Sequence, residues 1–324
     1  MMPTRRSILA ATLAAPAAAQ AQGFPDRPVR VMVPFPPGGN VDFTARLLAP
    51  ALQAALGQPV IVENRGGAGG IVGTEAVARS RPDGTMVLLG STGPISLFPV
   101  AMQTLPYDTL RDFAPIGIAY RVPIVLMVGR QVPARTLADF VALAKATTGG
   151  LSAGTAGIGS GAHLALEMFN AGTGAGIVHV PYRGTGPALS DLIAGTIPIV
   201  FDQLSSALPL QADGRARILG IASAARSPLL PDVPTLREAG LVEPELSTTL
   251  GLLAPANTPD VIIGTWRDAL AAAMADPAVR DRLVSLGAEI PSAAEITPAR
   301  YAAVIREEME TNRRAVQFGN IRLE

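Results

Sequence analysis

The chain contains no cysteine. This absence excludes disulfide bonds, thiolate zinc sites, iron–sulfur clusters and cysteine nucleophiles. Histidine is scarce as well, since only His163 and His179 occur among the 324 residues. A metal site built on imidazole would therefore need carboxylate ligands too, and we expect neither a metal nor any other cofactor.

Charged and aromatic side chains are also few. Charged residues make up 16% of the chain, and Lys+Arg equals Asp+Glu at 26 each, so the basic excess typical of nucleic-acid binding is missing. We therefore expect no nucleic-acid partner. Aromatic residues make up only 4%, which argues against a site built from stacked rings. The single lysine, Lys145, lies inside a predicted helix, so the phosphate-loop pattern Gly-Lys-Ser/Thr is absent.

No stretch is apolar over the roughly 20 residues that a membrane-spanning helix needs. The N-terminus has another pattern, in which Arg5 and Arg6 precede an uncharged, alanine-rich stretch that ends in Ala-Gln-Ala at residues 19–21. This pattern predicts a removable signal peptide over residues 1–21 and export to the periplasm. The paired arginines resemble the twin-arginine signal, and the general secretory route stays open because no lysine follows Leu9.

Strand-like and helix-like segments alternate from residue 28 onwards, which predicts an α/β fold with mostly parallel sheets. A chain of this length is long enough for two lobes. The pattern restarts near residue 136, after a β-rich run over residues 116–128 that can cross between lobes. We expect two doubly wound α/β lobes, residues 24–121 plus 224–324 and residues 122–223, with a hinge at residues 121–124 and 221–225.

Apolar periodicity and turn residues set the bounds of the predicted elements. The predicted strands are residues 29–33, 60–63, 86–89, 151–153, 177–181, 197–201 and 216–222. The predicted helices are residues 41–56, 69–81, 136–147, 162–171, 187–194, 260–275, 277–286 and 298–317. Residues 94–115 are predicted to be irregular. The only tryptophan, Trp266, falls in a predicted helix, where we expect it to be packed.

Two glycine-rich loops each join a predicted strand to a predicted helix. The first covers residues 34–42 and the second covers residues 154–161. Unpaired N–H groups at such helix starts attract anions, so two facing loops of this kind would clamp a carboxylate without any arginine. Each loop alone is more typical of a tight turn that needs glycine only for its backbone geometry. Their occurrence in both lobes favours the binding interpretation.

The second loop also matches the looser dinucleotide fingerprint over residues 157–162. The acidic residue that would bind the ribose about 20 residues later is missing, because the chain reads His-Val-Pro at residues 179–181. Ser160 lies outside the Gly-x-Ser-x-Gly pattern of hydrolases, and nothing in the sequence makes His163 its base. Both histidines are more typical of structural residues.

Two aspartates stand at the ends of predicted sheet elements, Asp42 after the first glycine-rich loop and Asp202 after the strand at residues 197–201. Their side chains either contact a solute in the cleft or serve to cap a helix or pin a loop. If Asp42 faces the solute, it could hold an ammonium group, which would favour an amino acid or an amide.

Several segments together match a known family. They are residues 24–30, 33–39 with Asp42 and Arg46, 62–70, 159–164, 179–184, 201–202 and 226–235. In this order and spacing they resemble the Bug receptors, the Bordetella-uptake-gene family of extracytoplasmic solute receptors, many of which serve tripartite tricarboxylate transporters. The resemblance covers essentially the whole chain after the predicted signal peptide, although no single motif is decisive.

The resemblance implies a two-lobed, type II-like periplasmic-binding-protein fold whose glycine-rich loops hold a carboxylate through backbone amides, hydroxyl groups and water. It implies one binding segment at residues 35–42, a second at residues 157–163, and further residues that line the cleft. The ligand-binding residues implied are Phe35, Pro36, Pro37, Gly38, Gly39, Asn40, Val41, Asp42, Ser91, Thr92, Gly157, Ile158, Gly159, Ser160, Gly161, His163, Tyr182 and Asp202.

The function expected on these grounds is that of a monomeric periplasmic receptor, not an enzyme, that closes two lobes around a small carboxylate solute. It would deliver the solute to membrane transporter subunits or to a sensor. Dicarboxylates, tricarboxylates, aromatic acids and amino acids all stay open. Family members often carry an aromatic residue before Gly251, where this chain reads Ser-Thr-Thr-Leu at residues 247–250, so that edge of the cleft is altered.

Two alternatives to a receptor predict different behaviour. A nucleotide-dependent enzyme would bind a cofactor, whereas an adaptor with a degenerate cleft would bind neither solute nor cofactor. The receptor is favoured because the sequence offers two anion-binding loops and no acid–base pair with a defined geometry.

Overall fold

The computed structural model describes residues 23–238 and 246–318, and the predicted signal peptide lies outside them. Within these residues the chain forms nine β-strands. They are β1 (Val29–Val33), β2 (Val60–Asn64), β3 (Met86–Ser91), β4 (Phe113–Gly129), β5 (Ser152–Thr155), β6 (Val178–Pro181), β7 (Ile199–Gln203), β8 (Ala216–Ile221) and β9 (Ser247–Pro255).

Every predicted helix is found, with its ends shifted by a few residues. The helices of the described ranges are α1 (Asn40–Leu56), α2 (Ile71–Ala78), α3 (Phe98–Ala101), α4 (Thr109–Asp112), α5 (Leu137–Ala146), α6 (Gly161–Thr173), α7 (Thr185–Ala194), α8 (Leu204–Ala212), α9 (Asp260–Ala275), α10 (Pro277–Ser285) and α11 (Pro298–Phe318). None of these helices combines the length and the apolar character that crossing a bilayer requires.

Three differences from the predicted helices have local causes. Helix α2 starts later than predicted because Gly67, Gly69 and Gly70 adopt positive φ, which a helix cannot continue through. The region predicted to be irregular contains α3, α4 and a π-helical turn at Gly93–Leu97. Helix α8 was not predicted, since Pro209 lies within it.

Helix α1 illustrates how the apolar pattern places a helix on the sheet. Leu48, Leu52 and Leu56 recur every fourth residue and are buried, which gives α1 one apolar face. This face belongs to the same core cluster as β1. Each fully buried leucine contributes about 1.5–3 kcal/mol. Gly57 then ends the helix in the left-handed conformation, at φ 69°, and donates its N–H to Gln53.

The strands form two sheets that meet at β4. In the first sheet β1 pairs in parallel with β2 and β3, and β9 lies antiparallel between β3 and β4. In the second sheet β5 pairs in parallel with β6 and β7, while β7 and β8 lie antiparallel to β4. The prediction of mostly parallel sheets is therefore correct for the outer strands of each sheet but wrong for the pairs that involve β4 and β9, which are antiparallel. Strand β9 was not predicted.

Strand β4 continues without interruption from one sheet into the other. It pairs with β9 from Phe113 to Pro123, and with β7 and β8 from Ile124 to Gly129. Val122 and Ile124, on either side of the proline, are both fully buried. The β-rich run in the sequence thus crosses between two sheets.

Trp266 is packed, as predicted. Its side chain in α9 is 0% exposed, and the indole N–H donates to the carbonyl oxygen of Gly84 at 2.9 Å. A buried indole needs such a partner because an unpaired N–H would cost free energy. Trp266 therefore fixes α9 against the turn before β3 and takes no part in the cleft.

Candidate functional site

The loop between β1 and α1 is shaped by Asp42. Its carboxylate accepts the N–H of Gly38 and the side-chain amide of Asn64, each at 2.9 Å, and pairs with Arg46 at 2.9 Å. The Asn64 amide also donates to the carbonyl oxygen of Phe35 at 3.1 Å. Burial raises the pKa of Asp42, but the hydrogen bonds outweigh it and hold the pKa below its ordinary value. Asp42 is thus engaged in fixing the loop.

The loop between β5 and α6 is held by side chains at its two ends. The Thr155 hydroxyl accepts the N–H of Gly157 at 3.2 Å, and Nδ1 of His163 accepts the N–H of Gly159 at 3.1 Å. Ser160 caps α6 by accepting the N–H of His163 at 3.1 Å. These two glycine amides donate within the protein and are therefore not free for an anion.

Both loops border a cavity of about 120 Å³, here called the inner pocket and bounded by Asn40, Ser91, Ser160, Gly161, Thr185 and Gln203. Helices α1, α6 and α7 all begin at this cavity. Glycine precedes α1 and α7, and no described side chain caps either helix. First-turn N–H groups there lack intrahelical partners, and the helix dipoles add partial positive charge. The inner pocket is therefore suited to an anion.

Two buried amide atoms at the inner pocket lack a hydrogen-bond partner in the described chain. Asn40 uses Oδ1 to accept from Ser205 at 3.0 Å and from Tyr120 at 3.2 Å, and its Nδ2 is left unpaired. Gln203 donates from Nε2 to the Thr248 hydroxyl at 3.3 Å, and its Oε1 is left unpaired. An unpaired buried polar atom is costly, so a bound solute that pairs with it recovers free energy.

A second cavity of about 800 Å³ adjoins the first and is here called the outer pocket. Its apolar walls are Phe35, Ile71, Phe98, Met102, Ile158 and Tyr182. Phe35, from the first loop, and Ile158, from the second, line both pockets. The two loops thus present apolar side chains where the pockets meet.

Arg183 is the only charged residue of the described chain that lines either pocket, and it lines both. It stands two residues before the start of α7. Its guanidinium makes no hydrogen bond or ion pair with another described residue. No described acidic side chain lines the pockets, so the cleft carries uncompensated positive charge.

Comparison with known proteins identifies the family. Residues 44–320 match the family described as "Tripartite tricarboxylate transporter family receptor" (TctC). The chain belongs to the TctC family. One relative is the protein BugT of Bordetella pertussis, which is 37% identical over 304 residues that cover 94% of this chain and 92% of BugT. The predicted resemblance to the Bug receptors is confirmed.

Solved structures of related proteins share the fold of this TctC-family receptor. The periplasmic binding protein BugD matches with a TM-score of 0.88 and 32% identity over 93% of this chain and 100% of BugD. MatC of Rhodopseudomonas palustris, with bound malate, matches with a TM-score of 0.86 and 34% identity, over 90% of this chain and 100% of MatC. Rpa4515 of R. palustris, with adipate, matches with a TM-score of 0.87 and 31% identity, over 92% of this chain and 99% of Rpa4515. The predicted two-lobed α/β fold of the periplasmic-binding-protein type is confirmed.

The cleft of this receptor brings together most of the predicted site residues. Those that line a pocket are Phe35, Pro36, Pro37, Gly39, Asn40, Val41, Ser91, Gly157, Ile158, Ser160, Gly161 and Tyr182. Those outside both linings are Gly38, Asp42, Thr92, Gly159, His163 and Asp202. Arg183, Gln203 and Thr248 line a pocket but were not predicted. Arg183 and Gln203 each directly follow a predicted residue in the chain, and Arg183 also lies in the family-matching segment at residues 179–184.

Asp202 lies behind the inner pocket and fixes the start of α7. It is 1% exposed and accepts hydrogen bonds from the hydroxyls of Thr185 at 3.0 Å and Ser206 at 2.5 Å. Burial raises the pKa of Asp202 to about 6, although the hydrogen bonds act to lower it. Because Thr185 is the first residue of α7, Asp202 sets where this helix meets the pocket.

Thr92 also lies outside the pockets' linings, although Ser91 lines the inner one. The Thr92 hydroxyl accepts the N–H of Thr249 at 2.9 Å. Close by, the Glu308 carboxylate of α11 accepts the hydroxyl of Ser96 at 2.7 Å and that of Thr249. Burial raises the pKa of Glu308. This polar cluster ties α11 to the ends of β3 and β9 behind the inner pocket.

His163 and His179 stack with their ring centres 4.0 Å apart, and with Glu167 their potential metal-ligating atoms lie within 4.8 Å of one another. A metal on Nε2 of His163 would require the ring proton on Nδ1, where it would face the N–H of Gly159. His179 Nε2 already bonds the Thr155 hydroxyl at 2.7 Å. These contacts favour structural histidines that hold the second loop, as the sequence predicts.

Proposed function

We propose that this receptor binds the carboxylate group of a small solute in the inner pocket. The observation that carries the proposal is the convergence of three helix starts on a cavity that no described acidic side chain lines. Each start offers unpaired N–H groups and the positive end of a helix dipole. The unpaired Nδ2 of Asn40 adds a side-chain donor for a carboxylate oxygen.

Arg183 supplies the full positive charge for this anion. Its guanidinium has no partner among the described residues, so binding a carboxylate breaks no existing ion pair. Hydrogen bonds between arginine and carboxylate are among the stronger ones in proteins. An ammonium group would meet no carboxylate of the described residues at the pockets, because Asp42 and Asp202 are both engaged elsewhere. Carboxylic acids without an amino group therefore suit the cleft better than amino acids.

The ligands of the related structures support this proposal. MatC holds malate and Rpa4515 holds adipate, and both ligands are carboxylates. Each protein is similar to this chain over nine-tenths of its length or more. We therefore extend carboxylate binding to this receptor, without extending either particular solute.

We further propose that the solute is captured by lobe closure. Residues 24–121 with 224–324 would form one lobe and residues 122–223 the other. The continuous strand β4, whose pairing changes at Pro123 and Ile124, supports one hinge strand near residues 121–124. A solute that touches both loops stabilises the closed state, because only that state offers both sets of contacts.

The receptor is proposed to act in the periplasm as a monomer, after removal of the predicted signal peptide, and to deliver its solute to membrane transporter subunits or to a sensor. We propose that it catalyses no reaction. The hydroxyl of Ser160 supports this, because it caps α6 and has no described base within hydrogen-bond distance.

A thermal-shift screen of residues 23–324 tests the proposed function. A ligand that binds only the folded protein raises its transition temperature by mass action. We expect carboxylates such as adipate or hexanoate to raise it and NAD or ATP to have no effect. A shift with a dinucleotide alone would favour a nucleotide-dependent enzyme, and no shift with any carboxylate would contradict the proposal.

A further inference from the structure

The described side chains that line the outer pocket offer a solute almost no free polar group. Its Asn64 amide already donates to Asp42 and to the carbonyl oxygen of Phe35. The hydroxyl of Tyr182 donates to Asp191 at 2.6 Å. Of the polar side chains that line the outer pocket, this leaves only Arg183, which stands where the two pockets meet.

Ile158 is an exposed apolar side chain at the tip of the second loop. It is 49% exposed, although the loop is fixed on both sides by Thr155 and His163. Phe35 of the first loop lines the same two pockets. A large apolar side chain held open to water at a binding cleft gains free energy when a ligand covers it.

The two pockets differ in size and polarity, and this difference indicates which part of a solute each pocket binds. The inner pocket, at about 120 Å³, is small and contains the anion-binding groups. The outer pocket, at about 800 Å³, is several times larger and mostly apolar. A solute anchored by its carboxylate in the inner pocket therefore extends its body past Ile158 and Phe35 into the outer pocket.

We infer that the solute of this receptor is a carboxylate with a hydrocarbon body that carries no hydroxyl groups, and that Ile158 and Phe35 select it. The inference rests on the proposed function, which supplies the carboxylate anchor. Hydroxyl groups on the body would lose water in the outer pocket, where Arg183 is the one described side chain left to bond them, and that loss opposes binding. Methylene or ring carbons make no hydrogen bonds to water that could be lost, and they bury apolar surface in the pocket.

Isothermal titration calorimetry with matched acids tests the inference. Hexanoate and gluconate each have six carbons and one carboxylate, and only gluconate carries hydroxyl groups along its body. We expect hexanoate to bind at least tenfold more tightly than gluconate, since each buried methylene contributes about 0.8 kcal/mol. Adipate serves as a third ligand and shows whether a second carboxylate is tolerated at the far end.

The variant Ile158→Thr tests whether the Ile158 side chain contacts the hydrocarbon body of the solute. It keeps the branch at Cβ but replaces the ethyl group with a hydroxyl group, and we expect the Kd for hexanoate to rise about tenfold. Val178→Thr is the matched control, because Val178 is also 49% exposed, lies on β6 beside the strand that leads into the second loop, and lines neither pocket. It should leave the affinity for hexanoate unchanged.

The outcomes separate the inference from the proposed function. Gluconate binding as tightly as hexanoate, or an unchanged hexanoate Kd in Ile158→Thr, overturns the inference and leaves carboxylate binding intact. A wild-type protein that binds none of these carboxylates refutes the proposed function and the inference with it.

Discussion

The backbone N–H of Gly159 donates a hydrogen bond of 3.1 Å to Nδ1 of His163. This bond spans the turn between β5 and α6 and closes the second loop on itself. His163 is 7% exposed and stacks on His179, so its ring cannot rotate away without losing both contacts. The loop that borders the inner pocket is therefore rigid because of a residue that does not line the pocket.

Replacing the acceptor should loosen the loop. In His163→Leu the Gly159 N–H is left unpaired, at a cost of about 1–3 kcal/mol, and we expect the Kd for a bound carboxylate to rise about tenfold. Amide hydrogen exchange of residues 157–160 should become faster. His163→Gln is the control, because its side-chain oxygen can accept the same N–H. Unchanged affinity and exchange in His163→Leu would contradict this role.

Arg183 should account for much of the anion affinity. Removal of the charge in Arg183→Gln should raise the Kd for carboxylates about 10- to 100-fold, since a hydrogen bond to a charged group contributes about 1.5–3 kcal/mol. The wild-type affinity should also fall more steeply with added salt than that of the variant. Arg135→Gln is the control, as Arg135 borders a different cavity. Equal effects of the two substitutions would show that Arg183 acts only through net charge.

Asp42 should act on the first loop, not on the solute. In Asp42→Ala the Gly38 N–H and the Asn64 amide lose their acceptor, so we expect weaker binding of acids with and without an amino group alike. Titration with adipate and with glutamate measures this, and both Kd values should rise by a similar factor of about ten. A loss confined to glutamate would instead indicate that Asp42 contacts an ammonium group.

The pKa of Asp202 makes a defined contribution to the pH dependence of stability. Its pKa of about 6 in the folded protein lies above the ordinary value of 3.8, so between these pH values the folded state binds more protons than the unfolded state. Stability from this group therefore rises as the pH falls from about 6 to about 4, and is lost as the pH rises back through about 6. A shift of this size corresponds to about 3 kcal/mol at most.

Urea unfolding at pH 7 and pH 4.5 measures this contribution. The comparison is made between the wild type and Asp202→Asn, because His179, whose pKa is lowered to about 4 mainly by burial, is present in both and cancels. We expect the wild type to gain stability relative to the variant on acidification. Parallel changes in the two proteins would show that Asp202 does not titrate in this range.

The sequence patterns predicted the outer elements of the fold better than its centre. The parallel strands and the helices beside them follow short periodic segments, so β1, α1, β5 and α6 were found within a few residues. Strand β9 was missed because it is buried on both faces as the central antiparallel strand, and it therefore lacks the alternation that marks a half-buried strand. Helix α8 was missed because its internal Pro209 is typical of a loop.

In the candidate site, too, local features were predicted and features that depend on distant residues were not. The two loops were predicted from local composition, because glycine after a strand and before a helix is a pattern within a few residues. The pairing of Gln203 with Thr248 joins residues 45 apart and depends on the order of strands in space. The engagement of Asp42 and the free state of Arg183 likewise depend on which neighbours the fold supplies. Such long-range relations are not visible in one sequence.

The most direct test of carboxylate recognition is calorimetric titration of residues 23–324 with hexanoate and with hexanamide, its neutral amide of nearly the same shape. Three helix starts and Arg183 favour a negative charge in the inner pocket, so we expect hexanoate to bind and hexanamide to bind at least tenfold more weakly. Equal affinity for the two compounds would contradict the central claim that the cleft recognises the charge of a carboxylate.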